Sequence, residues 1–231
     1  MNPPPESPWF ADRSEAGERL AEALVGEGAG ADLVLAVPNG GVAVAAPVAR
    51  ALGARVDVLV ARKVGAPMQP ELALGAVTRF GVVWNQSLLD DLHLSETALA
   101  QAQMRAQREL ERRERTFRAV RAAEPVRGRR VLLVDDGLAT GATMAAAVEA
   151  VQSAGAASVG VAVPVATNDA VNRLRALGAT VLALSVPPDF RAVGAFYDDF
   201  RPISDASCAA LLREMSTDAD ELADGPTGPP R

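Results

Sequence analysis

Five short apolar runs constrain the fold more than any other feature of this sequence. They are residues 33–37 (Leu-Val-Leu-Ala-Val), 56–60 (Val-Asp-Val-Leu-Val), 131–134 (Val-Leu-Leu-Val), 158–163 and 180–185. Runs this short, rich in β-branched residues, read as strands buried on both faces. Segments of helical character follow at 42–52, 144–153 and 168–177. Strand alternating with helix implies a parallel sheet, because right-handed crossovers place helices on both of its faces. The expected fold is therefore α/β: a doubly wound, mostly parallel central sheet with flanking helices. In such a sheet ligands bind at the carboxyl ends of the strands.

The rest of the 231-residue chain is read as additions to this core. Residues 1–9 are Pro-rich and expected to be flexible, 10–213 form the main domain, and the acidic, Gly/Pro-rich 214–231 read as a flexible tail. The first helix should open at Asp12, where Asp12 and Glu15 make a capping-box pattern. Residues 62–70 read as an exposed, mobile loop, and a short strand pair is expected around 72–83. Within a helical insertion of about 86–125, apolar residues Leu99, Ala102, Ala106, Leu110, Phe117 and Val120 fall near helical spacing. Its seven arginines (105, 108, 112, 113, 115, 118 and 121) could meet phosphate or a partner subunit. The interleaved acids favour a solvated, ion-paired face, and no chemistry is assigned to them. A last helix is expected at 204–213.

Composition removes several function classes. The net charge of −6 and pI near 4.9 provide no positive field for nucleic acid or anionic membrane. Cys208 is the single cysteine and His93 the single histidine, so neither a disulfide framework nor a Cys/His metal cage can form within the chain. No apolar run approaches the ~20 residues of a membrane span, and residues 1–9 lack a signal-peptide pattern. Small-molecule partners and a cytoplasmic location are the expectation. Walker and Gly-x-Gly-x-x-Gly sequences are also missing, which leaves ATPase and dinucleotide readings without support.

The chemistry concentrates in residues 131–143: an apolar strand, the acid pair Asp135 and Asp136, then Gly137, Leu138, Ala139, Thr140, Gly141, Ala142 and Thr143 leading into a helix. Main-chain N–H groups at such a helix start can hold a phosphate, the threonine hydroxyls can add to it, and the carboxylates can accept from vicinal sugar hydroxyls. The alternative is a plain turn whose aspartates cap the helix. A second glycine turn, Pro38-Asn39-Gly40-Gly41, ends the first strand. Its glycines could let backbone N–H groups approach an anion, or could serve the turn alone.

The pattern of apolar strand, acid pair, then small-Thr-Gly-x-Thr resembles the phosphoribosyl pyrophosphate signature of type I phosphoribosyltransferases. The order of segments over most of residues 10–213 is similar to a bacterial group of uncharacterised proteins of that class. Shared patterns are Phe-x-Asp-Arg-x-x-Ala-Gly (residues 10–17), Arg-Lys at 62–63, Glu-Leu-Ala-x-Gly-Ala (71–76) and Ala-Val-Gly-x-x-Tyr-x-x-Phe (192–200). The chain departs from the group at Asn39, where the pattern carries arginine. The resemblance implies that Asp135 and Asp136 engage the ribose hydroxyls and that Ala139, Thr140, Gly141, Ala142 and Thr143 wrap the 5′-phosphate. Asn39, Gly40 and Gly41 would meet the pyrophosphate, with Arg62 and Lys63 as cations for it.

Such a protein would take 5-phosphoribosyl 1-pyrophosphate with Mg²⁺ and pass the phosphoribosyl group to a nitrogenous base through an oxocarbenium-like transition state, releasing pyrophosphate. Mg²⁺ would be shared by substrate groups, with Asp135 and Asp136 as its only protein contacts if any. No nucleophilic side chain is needed. Ala139 stands where enzymes for 6-oxopurines carry an acid, which disfavours those acceptors. A small C-terminal hood at 187–200 is expected to hold the acceptor through Phe190, Phe196 and Tyr197. The alternative is that its aromatics pack the last helix onto the body. Asn39 keeps a second class open, a non-catalytic sensor of the same ligand, and a homodimer is compatible with either.

Overall fold

The computed structural model describes residues 9–223, with side chains as far as Met215. The expected flexible ends therefore fall largely outside the described residues. Five parallel strands make the central sheet: β1 (Leu33–Ala36), β2 (Arg55–Val58), β6 (Arg130–Val134), β7 (Ser158–Val165) and β8 (Thr180–Ser185), lying side by side in the order β2-β1-β6-β7-β8. The pair β1 and β6 is in register from Leu33 beside Val131 to Ala36 beside Val134. This is the doubly wound sheet the apolar runs predict.

Period-two alternation explains why both faces are covered. Leu33, Leu35, Val131 and Leu133 point into a cluster with α5 (Ala142–Ser153) and α6 (Asn168–Ala176). Val34, Ala36, Leu132 and Val134 point the other way, toward α1 (Arg13–Gly26), α2 (Gly40–Leu52) and α7 (Asp205–Ala223). Each fully buried leucine or valine in these layers stabilises the fold by about 1.5–3 kcal/mol. Asp12 caps α1, accepting from the amides of Ser14 and Glu15.

The expected loop at 62–70 is a correction. Residues Arg62–Gly65 form β3, which pairs antiparallel with β4 (Ala73–Thr78), and β4 pairs with β5 (Gly81–Trp84) in a separate three-stranded sheet. Only the tip is loop: residues 67–71 are exposed, and Met68 is 91% exposed. The charged Arg62-Lys63 pair hid a strand whose buried residue is Val64. A short α3 (Gln86–Leu92) precedes the long α4 (Glu96–Arg118), and α7 continues past position 213, where the sequence suggested an end.

Helix α4 packs on β3, β4 and α7 through Ala102, Ala106, Leu110 and Phe117. Its C-terminal end is fixed by the fully buried Asp57, which accepts from Arg118 and Arg79 at 2.8 Å each and from the Glu124 amide at 3.0 Å. The seven arginines therefore do not form one solvated face. Arg113 and Arg118 are half-buried anchors, whereas Arg105, Arg108, Arg112 and Arg115 are exposed. Among the described residues no helix is long and apolar enough to cross a membrane.

Candidate active site

Two neighbouring strands each deliver a helix N-terminus to the same edge of the sheet. β1 leads through Val37, Pro38 and Asn39 into α2, and β6 leads through residues 135–141 into α5. In α1, α3, α4 and α6, side chains of Asp12, Asn85, Ser95 and Thr167 cap the first amides. Neither Asn39 of α2 nor Gly141 of α5 provides a side-chain cap. The first-turn amides of these two helices rely on other partners, the Ala142 amide donating to Thr140 Oγ1 at 3.3 Å and the Gly41 and Val42 amides to the Val37 and Asn39 carbonyls at 3.2 Å each, and the helix dipoles add a partial positive charge at each end.

Asp135 and Asp136 lie between these two ends. A Cβ on Gly40 would stand 1.8 Å from Asp136 Oδ2, and one on Gly41 would stand 2.6 Å from the Val134 carbonyl oxygen and 3.2 Å from Asp135 Oδ1. The glycines of the 39–41 turn are therefore required by the acid pair itself. That reason was not visible in the sequence, where a turn or an anion alone accounted for them. The Pro38–Asn39 peptide is cis.

The two carboxyls differ in environment. Burial, followed by the adjacent Asp136 charge, pushes Asp135 well above the usual carboxylate range. Asp136 pairs with Arg13, Nε to Oδ2 at 2.7 Å, and the two side chains are 15% and 10% exposed respectively. The Arg13 guanidinium stacks on Phe200 with 3.8 Å to the ring centroid, and its Nη1 donates to the Arg201 carbonyl. Sequence reasoning gave Arg13 no role, although it lies within the shared Phe-x-Asp-Arg pattern.

The loop after the acid pair is held from behind. Thr167 Oγ1 donates to the Ala139 carbonyl at 2.7 Å while accepting from the Ala170 amide, and Leu138 bridges to Ala166. Gly141 has φ +67 and its missing Cβ would meet Ala170, so position 141 demands glycine twice over. Thr140, Ala142 and Thr143 are exposed at the helix start. A cavity of about 400 Å³ beside this loop is lined by Thr143, Lys63, Trp84, Glu149 and Arg173 among others. It brings Lys63 to the same space as the loop. Lys63 pairs with Glu71 at 2.9 Å, and Arg62 pairs with Glu109.

The aromatics of 187–200 are engaged with the other end of the domain. Phe196 and Tyr197 are 7% and 5% exposed and pack with Phe10, and Trp9 meets Phe196 edge-on. They secure the start of α1 rather than the last helix. Tyr197 Oη donates to the Asp136 carbonyl at 2.6 Å, which ties this cluster to the acid pair. Phe190, against Phe196, remains half-buried.

Comparison with known proteins agrees with this geometry. A family model described as the phosphoribosyl transferase domain matches residues 12–200. A provisionally named phosphoribosyl transferase of Mycobacterium tuberculosis (strain H37Rv) is 41% identical over 224 residues, 96% of this chain and 51% of that protein. The chain thus spans about half the length of the curated relatives it matches. The crystal structure of TT1426 from Thermus thermophilus is 47% identical and superposes with a TM-score of 0.81, covering 89% of this chain and 98% of that one. A Neisseria gonorrhoeae protein solved with bound ppGpp shares the fold at 16% identity and a TM-score of 0.50, over 93% of this chain and 99% of its own.

Proposed function

This chain belongs to the phosphoribosyl transferase domain family, and from that premise we propose that it binds 5-phosphoribosyl 1-pyrophosphate and transfers the phosphoribosyl group to a nitrogenous acceptor, releasing pyrophosphate. One observation carries the reading: two helix N-termini whose N-cap residues supply no side-chain cap flank a pair of carboxylates. The substrate has the same order of groups, a phosphate, a sugar diol and a pyrophosphate.

In this reading the amides and hydroxyls of Ala139, Thr140, Gly141, Ala142 and Thr143 take the 5′-phosphate. Asp135 and Asp136 accept from the ribose hydroxyls. Asn39, Gly40 and Gly41 present their backbone to the pyrophosphate, where fixed donors stabilise the charge that develops as it leaves. Arg62 and Lys63 add cations once they exchange Glu109 and Glu71 for the anion. Among the described residues no three acidic, His or Cys side chains converge into a metal cage. Mg²⁺ fits here as an ion carried chiefly by the substrate's oxygens, with Asp135 and Asp136 the carboxylates on hand. When bound it would neutralise charge on the departing pyrophosphate. The acceptor would meet Phe190.

The decisive experiment is calorimetric titration with phosphoribosyl pyrophosphate and Mg²⁺ for wild type and Asp135→Asn/Asp136→Asn, followed by pyrophosphate release across a panel of bases. Binding lost in the variant, with release for one base, supports a transferase and names its acceptor. Absence of binding to wild type rejects the reading. A second reading, a non-catalytic sensor, is favoured by the engagement of both cations with Glu109 and Glu71 and by Asn39 in place of arginine. Binding without release for any base would select it.

A further inference from the structure

Asn39 stands where the resembling pattern has arginine, and its side chain is turned onto α4 and α7. Its Nδ2 donates to the Ile203 carbonyl at 2.6 Å and its Oδ1 accepts from Arg113 Nη2. Arg113 is itself clamped by Asp205 at the start of α7, Nη2 to Oδ1 at 2.8 Å and Nε to Oδ2 at 3.2 Å. The Arg113 side chain is 15% exposed, so water competes little for these bonds. The same hydrogen bonding from Arg113 is the first cause that holds Asp205 below its usual range. One turn earlier on α4, Glu109 pairs with Arg62. Residues four apart share a helix face, so one face of α4 reaches both the 39–41 loop and Arg62.

Resting on the phosphoribosyl pyrophosphate reading above, we propose that Arg113 is a positioning residue for pyrophosphate: fixed by Asp205, it holds Asn39 and thereby the backbone of Gly40 and Gly41. Its charge is matched by Asp205, so it acts through Asn39 and not by touching the anion. The need for such an anchor follows from the missing cap. The Asn39 side chain makes no cap bond to the first turn of α2, so within the turn the loop is braced by main-chain bonds, the Val42 amide donating to the Asn39 carbonyl and the Gly41 amide to the Val37 carbonyl at 3.2 Å each, and the side chain is committed to the distant anchor. Arginine at position 39 would extend beyond this amide and remove the bond to Arg113.

The test titrates the whole protein, in Mg²⁺, with inorganic pyrophosphate and separately with ribose 5-phosphate. Arg113→Met and Asn39→Ala should each weaken pyrophosphate by about tenfold and leave ribose 5-phosphate within about twofold, because only one anion site loses its preorganisation. The double variant should be no weaker than either single one, since both remove the same link. Arg113→Lys, which cannot form the bidentate pair, should fall between wild type and Arg113→Met. If Arg113→Met does not fold, Asn39→Ala leaves the Arg113–Asp205 pair intact and carries the same expectation. Equal losses for both ligands, additive losses in the double variant, or no loss would overturn the proposal. Wild type that binds neither ligand removes the parent reading and this one with it. Wild type that binds both, with unchanged variants, removes this one alone.

Discussion

Replacing Gly40 by alanine tests whether the acid pair and the 39–41 turn are one site. The new Cβ would stand 1.8 Å from Asp136 Oδ2 and 2.4 Å from its Cγ. To reach a contact near 3.4 Å the carboxylate must retreat by about 1.6 Å. Its bond to Arg13 is 2.7 Å long, so that retreat breaks the pair. Complete loss of a buried pair costs about 3–5 kcal/mol and overpacking about 1–3 kcal/mol. Arg13 keeps its bond to Arg201 and its stacking on Phe200, which places the expected cost near the middle, about 2–3 kcal/mol. For a chain of this size the melting temperature should then fall by roughly 4–12 °C. If Asp136 accepts from the ribose hydroxyls as proposed, displacing it by more than about 1 Å should weaken ribose 5-phosphate by about 100-fold. Gly26→Ala is the control: its Cβ would meet no atom within 4 Å, and it should hold or slightly raise stability. Differential scanning calorimetry and calorimetric titration read both quantities. A Gly40→Ala protein that melts with the control and binds like wild type would refute the argument that Asp136 is placed by the absence of a side chain at position 40.

Three further outcomes follow from the same geometry. Asp57→Ala leaves Arg79 and Arg118 without their buried acceptor and should cost about 3–5 kcal/mol in thermal or urea unfolding; a loss under about 1 kcal/mol would mean water takes its place. Asp135→Asn removes a carboxyl whose burial disfavours its charge, so stability at neutral pH should rise by about 0.5–2 kcal/mol while ribose affinity falls. The sign follows from a folded value raised above 3.8: the carboxyl's contribution is full below that value and is lost as pH rises through the folded one, so the variant should lose this part of the pH slope. Thr167→Val removes both the α6 cap and the bond to Ala139, and should cost about 1–2 kcal/mol and weaken ribose 5-phosphate more than pyrophosphate. Equal weakening of the two ligands would show that Thr167 supports the fold and not the 5′-phosphate loop.

Strand periodicity and turn chemistry are short-range, and they made most of the central sheet legible. The apolar runs at 33–37, 131–134, 158–163 and 180–185 overlap β1, β6, β7 and β8 closely, because the inner strands β1, β6 and β7 are buried over most of their length and leave little room for polar residues, while β8 at the sheet edge is half-buried. β3 was missed for the opposite reason. A strand in a small sheet at the periphery can carry Arg62 and Lys63 to solvent and bury only Val64, and four residues of that kind look like loop. The acid pair and the Thr-Gly-x-Thr turn were legible because they are contiguous. Arg13 was not, since it meets Asp136 across 123 residues of chain.

The arginines of α4 show where periodicity stops being informative. A helical pattern marks the apolar stripe, and it scores arginine as polar wherever it falls. An arginine can bury its stem beside that stripe and satisfy its guanidinium on one fixed acceptor, so the half-buried Arg113 and Arg118 look the same in sequence as the exposed Arg105 and Arg112. What separates them is the acceptor. Asp57 lies on β2 and Asp205 at the start of α7, 61 and 92 residues away respectively. Asp57 was itself hidden as the one polar residue in an apolar run, although an unpaired acid there would be costly to bury. A charged residue inside an otherwise apolar strand therefore points to a buried cationic partner on another element. Here one such partner, Arg79, came from the β4–β5 turn and the other, Arg118, from a helix to which sequence reasoning had assigned no chemistry.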